Sequence, residues 1–201
     1  MRKLTLLICV LAMTVAAGAQ EKPTTGSSQE KAAGAAAQAG PYSAFNRRAF
    51  GQMKIWLVGS AEKMPEENYS FKPTDAVRTF GQIVGHVADA QYMFCSSVLG
   101  EKNPGLKIEQ TKTSKADLIA ALKESFAYCD KAYQGLTDSD GTRTAKAFGQ
   151  EMPIFNILTV NNMHDTEHYG NLVVYLRLKG LVPPSTEASQ QAQQQQSQQK
   201  K

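Results

Sequence analysis

Three histidines are the whole imidazole complement of this 201-residue chain, and their spacing lets them act together. His164 and His168 are four residues apart, so on an α-helix they are rotated by only about 40° and lie one turn apart, with both rings in reach of a single ion. His86 belongs to a separate apolar-periodic segment and offers a third nitrogen. Three imidazoles on a divalent ion leave one tetrahedral position open, which is the plan of catalytic rather than structural zinc sites. The competing reading makes each ring a core histidine donating to a carbonyl, and spacing alone leaves the two readings open.

The neighbours of these residues place them on inward faces. Ile157, Val160, His168, Asn171 and Tyr175 share the helical stripe of His164, and Ile83, Ala90, Met93 and Ser97 share that of His86. Two residues near the pair are candidates for proton transfer, the carboxylate of Glu167 and the phenol of Tyr175. Asp89, three residues from His86, is a candidate to orient that ring, while Asp165 reads as a surface or supporting carboxylate. The string His164-Asp165-Thr166-Glu167-His168 also fits the His-x-x-Glu-His pattern of inverzincin proteases, with Glu167 as base. Such enzymes need a further carboxylate well downstream, and only Glu187, in a glutamine-rich tail, follows.

Several local strings carry a family likeness. They are Met64-Pro65-Glu66-Glu67-Asn68-Tyr69-Ser70-Phe71-Lys72-Pro73, then Arg78-Thr79-Phe80-Gly81-Gln82 leading into His86-Val87-Ala88, and finally His164 to Gly170. In this order, over residues 42 to 182, the chain resembles the DinB/YfiT-like family. The resemblance implies an all-α, DinB-like four-helix bundle. It implies a divalent metal ion, zinc or nickel first, held by residues matching His86, His164 and His168. It further implies a metal-dependent enzyme acting on a small-molecule substrate, thiol-transferase-like as in some relatives, with a hydrolase the alternative for an exported chain, and it admits a homodimer. The alternative is a non-catalytic helical module that binds metal or a partner.

Four helical patterns must position the histidines. The first runs from Ser43 to Lys63, with Phe45, Ala49, Met53, Trp56 and Leu57 on its apolar stripe and Pro65 stopping it. The second starts at Thr79, which has capping-box spacing to Gln82, and ends before Gly100. The third is capped by Ser114 and buries Leu118, Ala121, Leu122, Ser125, Phe126, Cys129, Tyr133 and Leu136. Residues 142 to 152 read as an extended connector, and the fourth helix runs from near Pro153 to Lys179. Helices of this length around one core make a bundle, a common host for metal sites.

The flanks read differently. Arg2 and Lys3, an apolar run from Leu4 to Val15 and Ala17-Gly18-Ala19 make residues 1–19 a secretory signal cleaved before Gln20, so the mature chain is expected to be exported, periplasmic or extracellular. The run is too short for a membrane anchor, and Cys9 lacks the small preceding residue of a lipoprotein site. Residues 20–41 form a low-complexity linker and 185–201 a glutamine-rich tail, both expected to be disordered because they cannot bury enough apolar surface to offset ordering entropy. Without residues 1–19, 22 − 2 = 20 basic residues face 18 acidic ones, a net charge of +2 that gives no nucleic-acid footprint. Cys95 and Cys129 remain, as packing residues or a disulfide staple if their helices are adjacent.

Overall fold

A computed structural model describes residues 40–199. Residues 1–19, expected to be a secretory signal, and nearly all of the linker expected at 20–41 lie outside the described residues. Helices α1 (Pro41–Lys63), α2 (Phe80–Leu99), α4 (Lys115–Gln134) and α5 (Ile154–Leu178) form the bundle, with a single-turn helix α3 (Ile108–Thr111) between α2 and α4. Each long helix packs on two others: α1 on α4 and α5, α2 on α4 and α5. Among the described residues, no helix is long and apolar enough to cross a membrane.

The helix boundaries follow local chemistry. Thr79 and Gln82 exchange side-chain and backbone hydrogen bonds in a full capping box, which fixes the start of α2 and so places His86 two turns in. At its other end Gly100 adopts the left-handed conformation (φ 69°) that stops the helix. Ser114 caps α4 by accepting from the Asp117 backbone N–H. Met64 leaves α1 in an extended conformation, ahead of Pro65.

The core runs along the inner faces of all four helices, with Phe50, Leu57, Phe80, Leu122, Phe126, Tyr133, Leu158 and Leu172 among its buried side chains. Phe50 stacks on Tyr133 with ring centroids 4.0 Å apart. Behind the histidines lies a polar seam. Gln91 on α2 donates to Asp165 on α5 (2.6 Å) and accepts from Asn161 (3.1 Å), and Asn161 also meets the Tyr133 hydroxyl (3.1 Å). Cys95 and Cys129 are disulfide-bonded and tie α2 to α4 at the same level. For a 34-residue separation, loop-closure entropy gives this crosslink about 3–4 kcal/mol of stabilisation in the chain-entropy model.

Several expectations change. The apolar stripe of α1 is rotated from the one anticipated: Phe50 and Ala61 are buried, Trp56 is half-buried and stacked on Tyr169, and Phe45 is 64% exposed. Residues 142–152 are not a simple connector but turn into a hairpin, β1 (Thr144–Ala147) against β2 (Gln150–Pro153), around Phe148-Gly149. The glutamine-rich tail, expected to be disordered, is helical as α6 (Pro184–Gln199). None of its residues is buried, in keeping with its composition, and its first turn is fastened by Ser185 to the Tyr169 hydroxyl and by a Glu187–Lys63 ion pair. Proline at the start and a sequence in which the helix formers Gln, Ala and Glu outnumber Ser and Thr supply the local helix propensity.

Candidate metal centre

His86 on α2 and His164 and His168 on α5 converge where the two helices pack. The His164 Nε2 lies 3.1 Å from the Nε2 of His86 and 3.1 Å from that of His168, and one donor atom from each ring falls within 4.8 Å of the others. At zinc–nitrogen bonds of about 2.0–2.1 Å, tetrahedral ligands sit roughly 3.3 Å apart. Two of the three separations match that spacing, and a small inward turn of the His86 and His168 rings would bring all three nitrogens to one small divalent ion.

The protonation chemistry points the same way. Glu109 on α3 places its Oε2 3.0 Å from His86 Nδ1, which holds the ring proton there and leaves a bare lone pair on Nε2. One proton on His164 Nε2 cannot satisfy both neighbouring nitrogens, so with His86 Nε2 bare the neutral rings cannot make both contacts full hydrogen bonds. A cation accepting all three lone pairs would satisfy the set. Burial, then the neighbouring imidazoles, lowers His164 to about 4; burial, then His86 and Arg78, lowers His168 to about 4. Both rings are thus neutral at pH 7, the form in which an imidazole can offer its lone pair to a metal.

A relay of contacts builds the site from four directions. Tyr175 donates to the Arg78 carbonyl (2.6 Å), and the Arg78 guanidinium donates to Glu109 Oε1 (2.8 Å). Burial alone would raise Glu109, but the hydrogen bonds from Arg78 and His86 outweigh it and hold the carboxyl below its usual range. Asp89 accepts from the backbone N–H groups of Ile108 and Glu109 (2.9 and 3.0 Å), anchoring α3 against α2. Gly85 permits the approach: a Cβ there would stand 2.7 Å from the Glu109 Cα.

The roles anticipated for nearby residues are redistributed. Glu109, not Asp89, orients His86; Asp89 acts one step back, by fixing the backbone of Glu109. Asp165 is no surface residue but fully buried, aimed at Gln91, with burial pushing its carboxyl well above the ordinary range. Tyr175 has its hydroxyl engaged with Arg78 and serves positioning instead of proton donation. Glu167 is exposed at the rim, where it borders both the cleft beside His164 and the cleft beside His168. Glu187 pairs with Lys63, so the inverzincin pattern lacks its downstream carboxylate, and His86 is the third residue beside the pair. Asn171 reaches His168 Nδ1 at 3.3 Å.

The contact between Glu109 and His86 predicts that Glu109→Ala lowers zinc affinity 10- to 100-fold in chelator competition, with the helical circular dichroism retained. Gly85→Ala is expected to act in the same direction by pushing α3 away. The lowered histidines predict a second effect in the metal-free protein. Between pH 6.5 and about 4 the unfolded chain takes up protons that folded His164 and His168 refuse, so their contribution to stability falls as pH drops through this window and levels off below it. Urea unfolding of the parent and of His164→Gln/His168→Gln across this range should differ in slope there; parallel curves would contradict the assignment.

Comparison with known proteins agrees with this architecture. The chain is 26% identical over 123 residues to the uncharacterised protein YjoA of Bacillus subtilis (strain 168), covering 60% of this chain and 79% of that protein. The crystal structure of YjoA is similar with a TM-score of 0.54 and 25% identity, over 66% of this chain and 90% of that one. A DinB-like protein from Bacillus cereus ATCC 10987 shares the fold with a TM-score of 0.61 and 22% identity, over 69% of this chain and 93% of that one. Residues 57–172, more than half of the sequence and including all three histidines, match the DinB superfamily, and the chain belongs to that superfamily.

Proposed function

We propose that this protein is an exported, metal-dependent enzyme in which His86, His164 and His168 hold one divalent ion, zinc or nickel, and that it works as a transferase or hydrolase on a small molecule. The observation that carries the reading is the meeting of three Nε2 atoms, two of them 3.1 Å from the third, with one ring's tautomer fixed by Glu109. A bound divalent ion would supply a Lewis acid that favours an anionic nucleophile, such as a thiolate, at neutral pH.

The chain's own residues supply the remaining functions. Glu109, backed by Arg78 and Tyr175, holds His86 in its ligating tautomer. His164 lines one open cleft and His168 another, so reactants can reach the histidines from two sides, which favours catalysis over sequestration. Glu167, on the rim shared by both clefts, is the carboxylate placed to accept a proton from an incoming group. Export is supported by the leader-like residues 1–19 and by the Cys95–Cys129 disulfide, a bond that persists in oxidising compartments. Outside the cytosol the common low-molecular-weight thiols are scarce, which brings hydrolysis forward as the reaction class.

Elemental analysis of untagged mature protein tests this reading, beside the His164→Ala/His168→Ala variant. The expected result is close to one ion per chain in the parent and loss of it in the variant, with helical content unchanged. Equal and negligible metal in both after reconstitution with zinc or nickel would leave a metal-free helical binding module.

A further inference from the structure

The cleft beside His164 is lined mainly by apolar side chains. Its walls include Phe45, Met93, Phe94, Phe148, Val160 and Met163, around a volume of about 850 Å³, within the usual range for small-molecule sites. Phe45, Phe148 and Met163 are 64%, 58% and 64% exposed. Solvating so much large apolar surface beside a set of metal-ligating side chains is unfavourable unless something covers it. The two asparagines in the wall do not need a ligand's polar atoms, because Asn162 donates to the carbonyl and side-chain oxygens of Asn46 (3.3 and 3.2 Å).

Phe148 is the second, independent observation. It occupies the first position of the two-residue β1–β2 turn with φ 52°, followed by Gly149 at φ 79°. Positive φ at both positions suits Asn-Gly, and a bulky aromatic at the first costs on the order of 1–2 kcal/mol. That strained residue places its ring 5.6 Å from Phe94, whose own ring lies 5.8 Å from His164. An aromatic held at a hairpin tip against its backbone preference, over an apolar groove that ends on a metal-ligating side chain, belongs to binding.

We propose that this groove is the substrate site for an acyl compound with an apolar chain, seated so that the chain lies between Phe45, Met163 and the Phe148 hairpin tip and the acyl head reaches the histidine centre. The inference rests on the metal-dependent reading above and names its substrate class. Three neutral imidazoles cancel none of a divalent ion's charge, so an oxygen-bearing head is the complementary end of the molecule. Phenylalanine and methionine walls match an alkyl chain and give no hydrogen bonds to a polar one.

Octanohydroxamate and acetohydroxamate share a metal-binding head and differ only in the chain, so calorimetric titration of the zinc-loaded protein with both isolates the groove. The expected result is a chain advantage on the order of 100-fold for octanohydroxamate, from burial of several methylenes. Phe148→Asn, which suits the turn and should not lower thermal stability, is expected to cut that advantage about 10-fold while leaving zinc content and acetohydroxamate affinity unchanged. Met163→Glu, at an exposed position, should do the same. No chain advantage in the zinc-loaded parent, or an advantage untouched by both variants, would overturn the groove assignment alone. A parent that retains no zinc and binds neither hydroxamate would overturn the metal-dependent reading with it. Sedimentation showing a dimer that Met163→Glu dissociates would assign the groove to a second copy instead.

Discussion

Three imidazoles meet nitrogen to nitrogen through two 3.1 Å contacts, each of which needs a proton or a cation between the facing nitrogens, and much of this fold is arranged to hold the rings there. The separation is set by two helices, not by one loop. His164 and His168 share a face of α5, but His86 comes from α2, so the centre exists only while these helices keep their relative height. A one-turn slip of about 5.4 Å would remove His86 from reach.

The buried polar seam opposes such a slip. Asp165 follows His164 directly and reaches Gln91, one turn past His86, so the hydrogen bond between α5 and α2 is made at the level of the histidines. Asn161 and Tyr133 extend the seam to α4, and the Cys95–Cys129 bond closes the same layer covalently. Polar groups in a helical core cost stability relative to apolar ones, and their use lies in admitting one register. Glu109, Arg78 and Tyr175 then set the tautomer and tilt of His86 within the register so fixed. Arg78, Glu109 and Tyr175 also wall the cleft beside His168, so the contacts that set the His86 ring border open space and not the packed core.

Much of this was legible in the residues. The capping box at Thr79, the cap at Ser114 and the left-handed Gly100 are local signals, and they placed α2 and α4 almost to the residue. The four-residue spacing of His164 and His168 and the inward face of His86 indicated which side chains would meet. Glu109 was not legible, because it stands in a single-turn helix within a segment that has no hydrophobic period and is defined only by its contact with Gly85 and Asp89. The stripe of α1 misled for a related reason: helical periodicity marks apolar residues, and Phe45 is apolar for the groove and not for the core. Asp165, open in the sequence between a surface and a supporting place, is buried because a partner on another helix, Gln91, makes burial tolerable, and pairing across helices leaves no mark in a single segment.

X-ray absorption at the zinc edge of the reconstituted protein reads whether the three rings ligate one ion together. The expected shell contains three imidazoles, with nitrogen at about 2.0–2.1 Å and the outer-ring scattering of all three. A shell of oxygen with one imidazole or none would overturn the joint ligation.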